Sequence, residues 1–189
     1  MPLTIVRFAY KREWANPFLD RWLRQRAVEG HVIRDGNWQQ PLDLCRNLEV
    51  QRFLDHDTTD AILLVDSDMV PVPESDEILA CDAPIVGCPY IGQSGHLEHP
   101  GEGSVAAGWL RINRDAAKTI GPPWFSFGLD GTGCGKASCE CGYFSAKARA
   151  AGITPVKIGR VGHLIRLVAL PTESGVAFRM EHLFTEAVC

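Results

Sequence analysis

The stretch Ala61-Ile62-Leu63-Leu64-Val65-Asp66-Ser67-Asp68 decides the fold. Its apolar residues do not alternate with polar ones, which is typical of a parallel strand covered on both faces. Two acidic residues follow at the carboxyl end of this strand, where open α/β sheets bind their ligands. Because side chains at positions i and i+2 of an extended chain point to the same side, Asp66 and Asp68 are expected to face one ligand together.

Strand and helix patterns alternate before this stretch. A strand is predicted over residues 3–9, a helix over 17–29, a second strand over 31–33 and a second helix over 41–54. This order predicts a single α/β domain with a mainly parallel central sheet flanked by helices. Residues 156–158 form the last predicted strand, and residues 171–189 are predicted to be a C-terminal tail.

The composition excludes several classes of protein. The 189 residues are 46% apolar and carry a net charge of −4, as in an ordered globular domain. The absence of a lysine and arginine run argues against a nucleic-acid partner. No stretch approaches the roughly 20 apolar residues of a membrane-spanning helix, and the N-terminal apolar run is too short for a signal peptide. Seven cysteines, an odd number, predict free thiols in a reducing cytoplasm.

The acidic pair predicts a metal site. Two carboxylates beside a buried strand repel each other, and a divalent cation relieves this repulsion and then attracts a diphosphate. The alternative, helix capping by Asp66 or Asp68, is disfavoured because Pro71 and Pro73 prevent a helix from starting directly afterwards. A second Asp-x-Asp triplet, Asp55-His56-Asp57, lies in a predicted solvated turn between helix and strand and is not expected to bind metal.

Several segments, taken in order, resemble GT-A-type glycosyltransferases, the nucleotide-diphospho-sugar transferases. Asp66-Ser67-Asp68 resembles their Asp-x-Asp segment, and Arg46-Asn47 lies one helix upstream, where such enzymes often carry an Arg-Asn pair. Ala106-Ala107-Gly108-Trp109-Leu110 resembles their small-small-Gly-aromatic strand beside the acceptor. Glu140-Cys141-Gly142-Tyr143-Phe144 and then Gly162-His163 resemble their Glu-Asp-x-x-Phe helix and terminal metal-binding histidine. The resemblance spans about residues 3–165 and points to a small bacterial or phage-like member.

This resemblance implies a Rossmann-like GT-A fold, with a nucleotide-binding half over about residues 1–80 and an acceptor and catalytic half over about 81–170. It implies a hexosyltransferase that moves a sugar from a UDP- or GDP-sugar to a sugar, protein or small-molecule acceptor. The chain is short for this family, which leaves room for a homodimer whose second subunit supplies the acceptor-binding lobe. The implied ligands of Mn²⁺, or of Mg²⁺, are Asp66, Asp68 and His163. The implied nucleotide-binding residues are Phe8, Ala9, Tyr10, Asp35, Asn37, Arg46, Asp66 and Ser67, and the implied acceptor-binding residues are Gly108 and Trp109.

Some of these residues also have structural interpretations. The aromatic rings of Phe8 and Tyr10 either bracket the nucleobase or pack in the core. Arg46 either binds phosphate or forms a salt bridge on a helix face. The Asp35-Gly36-Asn37 segment either binds base and ribose or is an ordinary turn.

The general base is the position where the chain departs from the family. Inverting members use the aspartate of the Glu-Asp pair to deprotonate the acceptor hydroxyl, and here Cys141 replaces it. Either Glu140 or Asp130 is therefore the base, or the enzyme retains configuration and needs none. This departure also leaves a nucleotide-sugar-binding module without turnover as an alternative. A sugar nucleotidyltransferase is a further alternative, although the region after the first strand lacks the glycine-rich loop of those enzymes.

Three cysteines cluster before and within the predicted helix that begins near residue 139. Cys134, Cys139 and Cys141 fit a zinc site, a disulfide or free thiols, and the spacing does not match the usual paired Cys-x2-Cys pattern.

Overall fold

The computed structural model describes residues 2–9, 16–36, 41–91, 103–129, 136–163, 166–172 and 175–181. The helices are α1 (Pro17–Val28), α2 (Leu42–His56), α3 (Glu77–Ala80), α4 (Arg114–Ile120) and α5 (Glu140–Ala150). The strands are β1 (Thr4–Phe8), β2 (Val32–Asp35), β3 (Ala61–Asp66), β4 (Met69–Val70), β5 (Ile85–Gly87), β6 (Tyr90–Ile91), β7 (Trp109–Asn113), β8 (Gly128–Leu129), β9 (Lys136–Ser138), β10 (Val156–Lys157), β11 (Val161–His163), β12 (Arg166–Thr172) and β13 (Gly175–Glu181). A short 3-10 helix, Pro73–Asp76, precedes α3.

The first five elements lie close to their predicted bounds. The start of α1 shows why. The Asn16 side chain accepts a hydrogen bond from the Leu19 backbone N–H. Pro17 lacks a backbone N–H, and this is harmless at the first helical position, where that group would have no partner within the helix. The prediction of the strand and helix order over this half of the chain is therefore confirmed.

The central sheet has six strands in the order β10-β5-β7-β3-β1-β2. β1 pairs in parallel with β2 and β3, and β5 pairs in parallel with β10, but β7 runs antiparallel to both β3 and β5. The sheet is mixed, so the prediction of a mainly parallel sheet is wrong. The reason is that β7 is buried like an inner parallel strand, and its apolar residues do not reveal its direction.

The sheet separates two hydrophobic clusters. On one face Ile62 and Leu64 of β3 pack with residues of α2, α4 and α5, and on the other Leu63 and Val65 pack with residues of α1 and α3. The whole apolar part of β3 is fully buried, as its non-alternating sequence predicts. This burial fixes the strand whose carboxyl end carries Asp66.

A second, three-stranded sheet lies beside that end, in the order β4-β11-β6. Its strands β4 and β11 pair antiparallel, with His163 opposite Met69. The strands β11, β12 and β13 all follow the last predicted strand, and β13 occupies part of the segment predicted to be a tail. No helix among the described residues has the length and apolar composition needed to cross a membrane.

Candidate functional site

The acidic segment after β3 is a turn held from three sides. The Asp66 N–H donates to the Gly108 carbonyl at 2.9 Å, and the Ser67 N–H donates to the Phe8 carbonyl at 2.9 Å. The buried Asn16 side chain donates to the carbonyls of Ser67 and Met69 at 3.0 and 2.7 Å. The chain leaves the extended conformation after Asp66, so the two carboxylates have different neighbours instead of facing one ligand side by side.

Asp68 lies beside His163. The His163 Nε2 atom is 3.2 Å from the Asp68 Oδ2 atom, although 95 residues separate them in sequence. The pairing of β4 with β11 brings them together, and the Tyr90 ring stacks on the His163 ring with centroids 5.0 Å apart. The histidine is therefore held at the carboxyl end of β3.

The Asp68–His163 pair suits a divalent cation. The Asp68 Oδ1 atom is buried and has no hydrogen-bond partner among the described residues, so it retains an unused acceptor. Neighbouring ligands of an octahedral ion bound at about 2.1 Å are about 3.0 Å apart, close to the observed separation. Within the described ranges, no three His, Cys, Asp or Glu side chains cluster as a metal site. Asp68 and His163 are thus close enough to share one ion, whereas the Asp66 carboxylate is held by Arg46.

Asp66 instead pairs with Arg46. The buried Arg46 side chain donates from Nη2 to both Asp66 carboxylate oxygens at 2.7 and 2.8 Å, and from Nη1 to Glu140 Oε1 at 2.6 Å. Its guanidinium also lies 5.7 Å from the centre of the Phe8 ring. Arg46 thus joins the end of β3 to the start of α5.

The charges of this cluster shift its pKa values. Burial raises the pKa of Asp66, and the negative charge of Asp68 raises it further, while Arg46 opposes both effects. Burial alone would lower the pKa of Arg46, but Asp66 and Glu140 outweigh it and raise the pKa. Burial and the charge of Asp66 raise the pKa of Tyr90 well above its ordinary value, so its hydroxyl stays neutral.

Gly108 lies against the acidic turn. Its N–H donates to the Tyr90 hydroxyl at 3.0 Å. A Cβ atom at this position would lie 2.5 Å from the Tyr90 hydroxyl and 2.8 Å from Asp66 Oδ2. Only glycine allows the turn before β7 to approach Asp66 this closely.

Other candidate residues lie in different surroundings. Phe8 is buried in the core below the guanidinium of Arg46, and Ala9 follows it at the end of β1. Asp35, at the end of β2, forms an ion pair with Arg7 at 2.7 Å. Trp109 is fully buried, with its ring 4.9 Å from that of Trp22, so this position does not fit the expected contact with an acceptor.

Four candidates, Tyr10, Asn37, Asp130 and Cys134, lie outside the described residues. The other Asp-x-Asp triplet is at the end of α2, where Asp55 accepts a hydrogen bond from Gln51 and Asp57 pairs with Arg34. These contacts are those of an ordinary helix end.

Two residues at the site were missed by the sequence interpretation. The Asn16-Pro17 pair signals a helix start, but not the hydrogen bonds from Asn16 to the acidic turn. Tyr90 lies in a short strand with no motif around it, and only the folded chain brings it against Gly108 and His163.

Comparisons with known proteins place the fold. No protein-family model and no curated protein matches the chain. The crystal structure of A197 from STIV matches 100% of this chain and 99% of its own, with a TM-score of 0.61 and 13% identity. The crystal structure of a glycosyltransferase involved in the glycosylation of the major capsid of PBCV-1 matches 66% of this chain and 69% of its own, with a TM-score of 0.45 and 14% identity. The first comparison shows a shared fold over the whole chain.

Proposed function

We propose that this chain is a metal-dependent glycosyltransferase of the GT-A type, which moves a sugar from a UDP- or GDP-sugar to an acceptor. The observation that carries the proposal is the Asp68–His163 pair, 3.2 Å apart at the carboxyl end of the buried strand β3. A carboxylate and an imidazole from distant parts of the chain, with one carboxylate oxygen unused, can bind a divalent cation whose other ligands are diphosphate oxygens and water.

Asp68 and His163 are the residues that would hold Mn²⁺ or Mg²⁺, and the imidazole favours Mn²⁺. A bound cation would neutralise the negative charge that develops on a leaving nucleoside diphosphate. The Asn16 side chain fixes the turn that carries Asp68, and Tyr90 fixes the ring plane of His163. These two residues set the position of the ligands before any substrate binds.

The nucleoside lies, in this proposal, along the carboxyl ends of β1 and β2. Phe8, Ala9 and Asp35 end these strands, and Asp66 and Ser67 begin the adjacent turn. Arg46 orients the Asp66 carboxylate and favours its charged form, in which an Asp66 oxygen can accept a hydrogen bond from a ribose hydroxyl. Gly108, packed against Asp66 and Tyr90, lies on the acceptor side in this proposal.

Glu140 is the proton acceptor that the described residues offer. Its carboxylate, at the start of α5, accepts a hydrogen bond from Arg46 Nη1 at 2.6 Å. In an inverting reaction it takes the proton of the acceptor hydroxyl as the oxygen attacks the sugar carbon. Asp130 is the other candidate for this role.

A nucleotide-sugar-binding module without turnover is the second candidate function. The specific observation is that Arg46 contacts both oxygens of Asp66 as well as Glu140, an arrangement that also serves purely to hold the fold together. Both functions bind a donor, but only the transferase consumes it.

A thermal-shift screen of UDP-, GDP- and dTDP-sugars, with and without Mn²⁺, tests donor binding. Ligands that bind only the native state raise the melting temperature, and at 100 times the Kd the gain is about 2.7 kcal/mol. We expect a shift with one nucleotide class that requires Mn²⁺ and is lost in Asp68→Asn but kept in Asp55→Asn, a matched change in the other Asp-x-Asp triplet. A metal-independent shift, or an equal loss in both variants, would contradict the proposal. Donor hydrolysis measured on the same protein separates the transferase from the binding module.

A further inference from the structure

Two cysteines flank Glu140 at the start of α5. Cys139 is the N-cap residue, with an extended backbone at φ −76° and ψ 159°, and its Sγ atom accepts a hydrogen bond from the Gly142 N–H at 3.2 Å. Cys141 lies in the first turn and is buried. The two Sγ atoms are 2.8 Å apart, because the extended N-cap residue folds its thiol back over the first helical turn.

We propose that Cys139 and Cys141 form a reversible disulfide by exchange with a low-molecular-weight disulfide, and that this bond lowers the activity of the neighbouring site. The existence of the bond is independent of the proposed function. Its effect on activity rests on that function.

The exchange is balanced in two steps. The Cys139 thiolate, the more exposed of the pair, attacks one sulfur of the external disulfide, whose S–S bond breaks and releases one thiolate. Because burial raises the pKa of the Cys141 thiol, this thiol passes its proton to the departing thiolate as its sulfur attacks the Cys139 sulfur and displaces the second thiolate. Two protein thiols lose two protons and two electrons, one protein S–S bond forms, and the external disulfide is reduced to two thiols.

The spacing favours a disulfide over a shared metal ion. Two thiolates on one tetrahedral zinc, each at about 2.3 Å, have sulfur atoms about 3.8 Å apart. A disulfide requires about 2.05 Å. The observed Sγ–Sγ distance of 2.8 Å is closer to the disulfide value than to the zinc value. The sulfur atoms therefore move less to form a disulfide than to bind one zinc ion.

Formation of the bond acts on Glu140 because that residue is the one between the two cysteines. Closing the sulfur atoms by about 0.8 Å constrains the two residues that flank Glu140 in the chain. In this proposal that constraint displaces the Glu140 carboxylate, which is 2.6 Å from Arg46 Nη1 in the reduced protein. Because misplacement of a catalytic group by about 1 Å can reduce turnover by a factor of up to about 100, we expect the oxidised protein to turn over at least about tenfold more slowly.

The test incubates the full-length protein with oxidised glutathione and follows intact mass, peptide mapping and donor turnover. The test variants are Cys139→Ser, Cys141→Ser and Cys134→Ser, and the serine at position 139 retains a side chain that can cap α5. The control variant is Cys81→Ser, which removes a different, partly exposed thiol. In the wild type, in Cys134→Ser and in Cys81→Ser, we expect the intact mass to fall by two hydrogen atoms and peptide mapping to show a disulfide between residues 139 and 141. Dithiothreitol should reverse both changes. Both single variants at 139 and 141 should lose the bond.

Several results would overturn the proposal. These are a bond from Cys134 to either cysteine, a zinc ion retained by the purified protein that protects these thiols, or thiols at 139 and 141 that stay alkylatable at every glutathione ratio. A bond between 139 and 141 that leaves donor turnover unchanged would overturn the regulatory part. If no donor is turned over at all, the proposed function fails, while the peptide map still decides whether the disulfide forms.

Discussion

Arg46 is the residue whose replacement tests the described cluster most severely. Its side chain is 1% exposed and makes three contacts of 2.6–2.8 Å to two carboxylates. Replacement by methionine keeps an apolar stem of similar length but leaves Asp66 and Glu140 without their cation. Removal of one partner from a buried ion pair costs about 3–5 kcal/mol, and we expect Arg46→Met to lower the free energy of unfolding by that amount.

The matched control is Arg160→Met. Arg160 also pairs with a glutamate, but its side chain is 62% exposed and its contact with Glu74 measures 3.3 Å. Exposed ion pairs of this kind contribute less than about 1 kcal/mol, so this variant should resemble the wild type.

Urea denaturation at pH 7, followed by circular dichroism, measures both variants. Adding Glu140→Gln to Arg46→Met removes one of the two uncompensated charges, so the double variant should regain part of the lost stability. The deficit of Arg46→Met should shrink as the pH falls, since protonation neutralises the carboxylates left without a partner. If Arg46→Met loses no more stability than Arg160→Met, the cluster is not the buried, charge-coupled unit described above.

Three further predictions concern the surroundings of the acidic turn and the sheet edge. Gly108→Ala should lower the free energy of unfolding by about 1–3 kcal/mol and weaken nucleotide binding, because its Cβ would lie 2.5 Å from the Tyr90 hydroxyl. Gly142→Ala is the control, since its Cβ would lie 3.4 Å from its nearest neighbour. Equal melting temperatures of the two variants would refute the close approach at Gly108. Asn16→Asp keeps the side-chain oxygen that caps α1 but removes both hydrogen bonds donated to the acidic turn. Mn²⁺-dependent nucleotide binding should therefore fall, while the helix content measured by circular dichroism is kept. Unchanged nucleotide binding would contradict the role given to Asn16. His31 accepts a hydrogen bond from the Leu3 N–H, and burial lowers the pKa of its imidazole. The folded state therefore binds a proton at His31 less readily than the unfolded state does. As a result, the free energy of unfolding should fall as the pH drops below about 6.5. His31→Gln should flatten that slope in urea titrations at pH 7.5, 6.5 and 5.5, and an unaltered slope would exclude His31 as its source.

The sequence predicts the first half of the fold well because its signals are local. The continuous apolar run of β3 and the prolines after Asp68 each act within a few residues. The direction of β7 is not local. It depends on which neighbours the strand finds in the sheet, and a strand buried on both faces carries the same apolar pattern either way.

The site shows the same division. The sequence places Asp66 and Asp68 at the carboxyl end of a buried strand, but it does not show that the turn at Ser67 separates their partners. Arg46 has two sequence interpretations, and the structure gives it buried contacts with Asp66 and Glu140 that no spacing rule predicts. The resemblance predicts Trp109 near the acceptor, yet its ring is fully buried and packs on Trp22. The motif does not show that this ring belongs to the core cluster formed with α1.

The central claim is that Asp68 and His163 bind a divalent cation together with a nucleoside diphosphate. The most direct measurement is the anomalous scattering of manganese in crystals grown with Mn²⁺ and UDP, or with GDP if the thermal-shift screen selects it. We expect one strong peak within bonding distance of both Asp68 and His163, adjacent to the diphosphate density, and no such peak in crystals of Asp68→Asn. A peak bound by other residues, or nucleotide density with no metal beside Asp68, would contradict the claim.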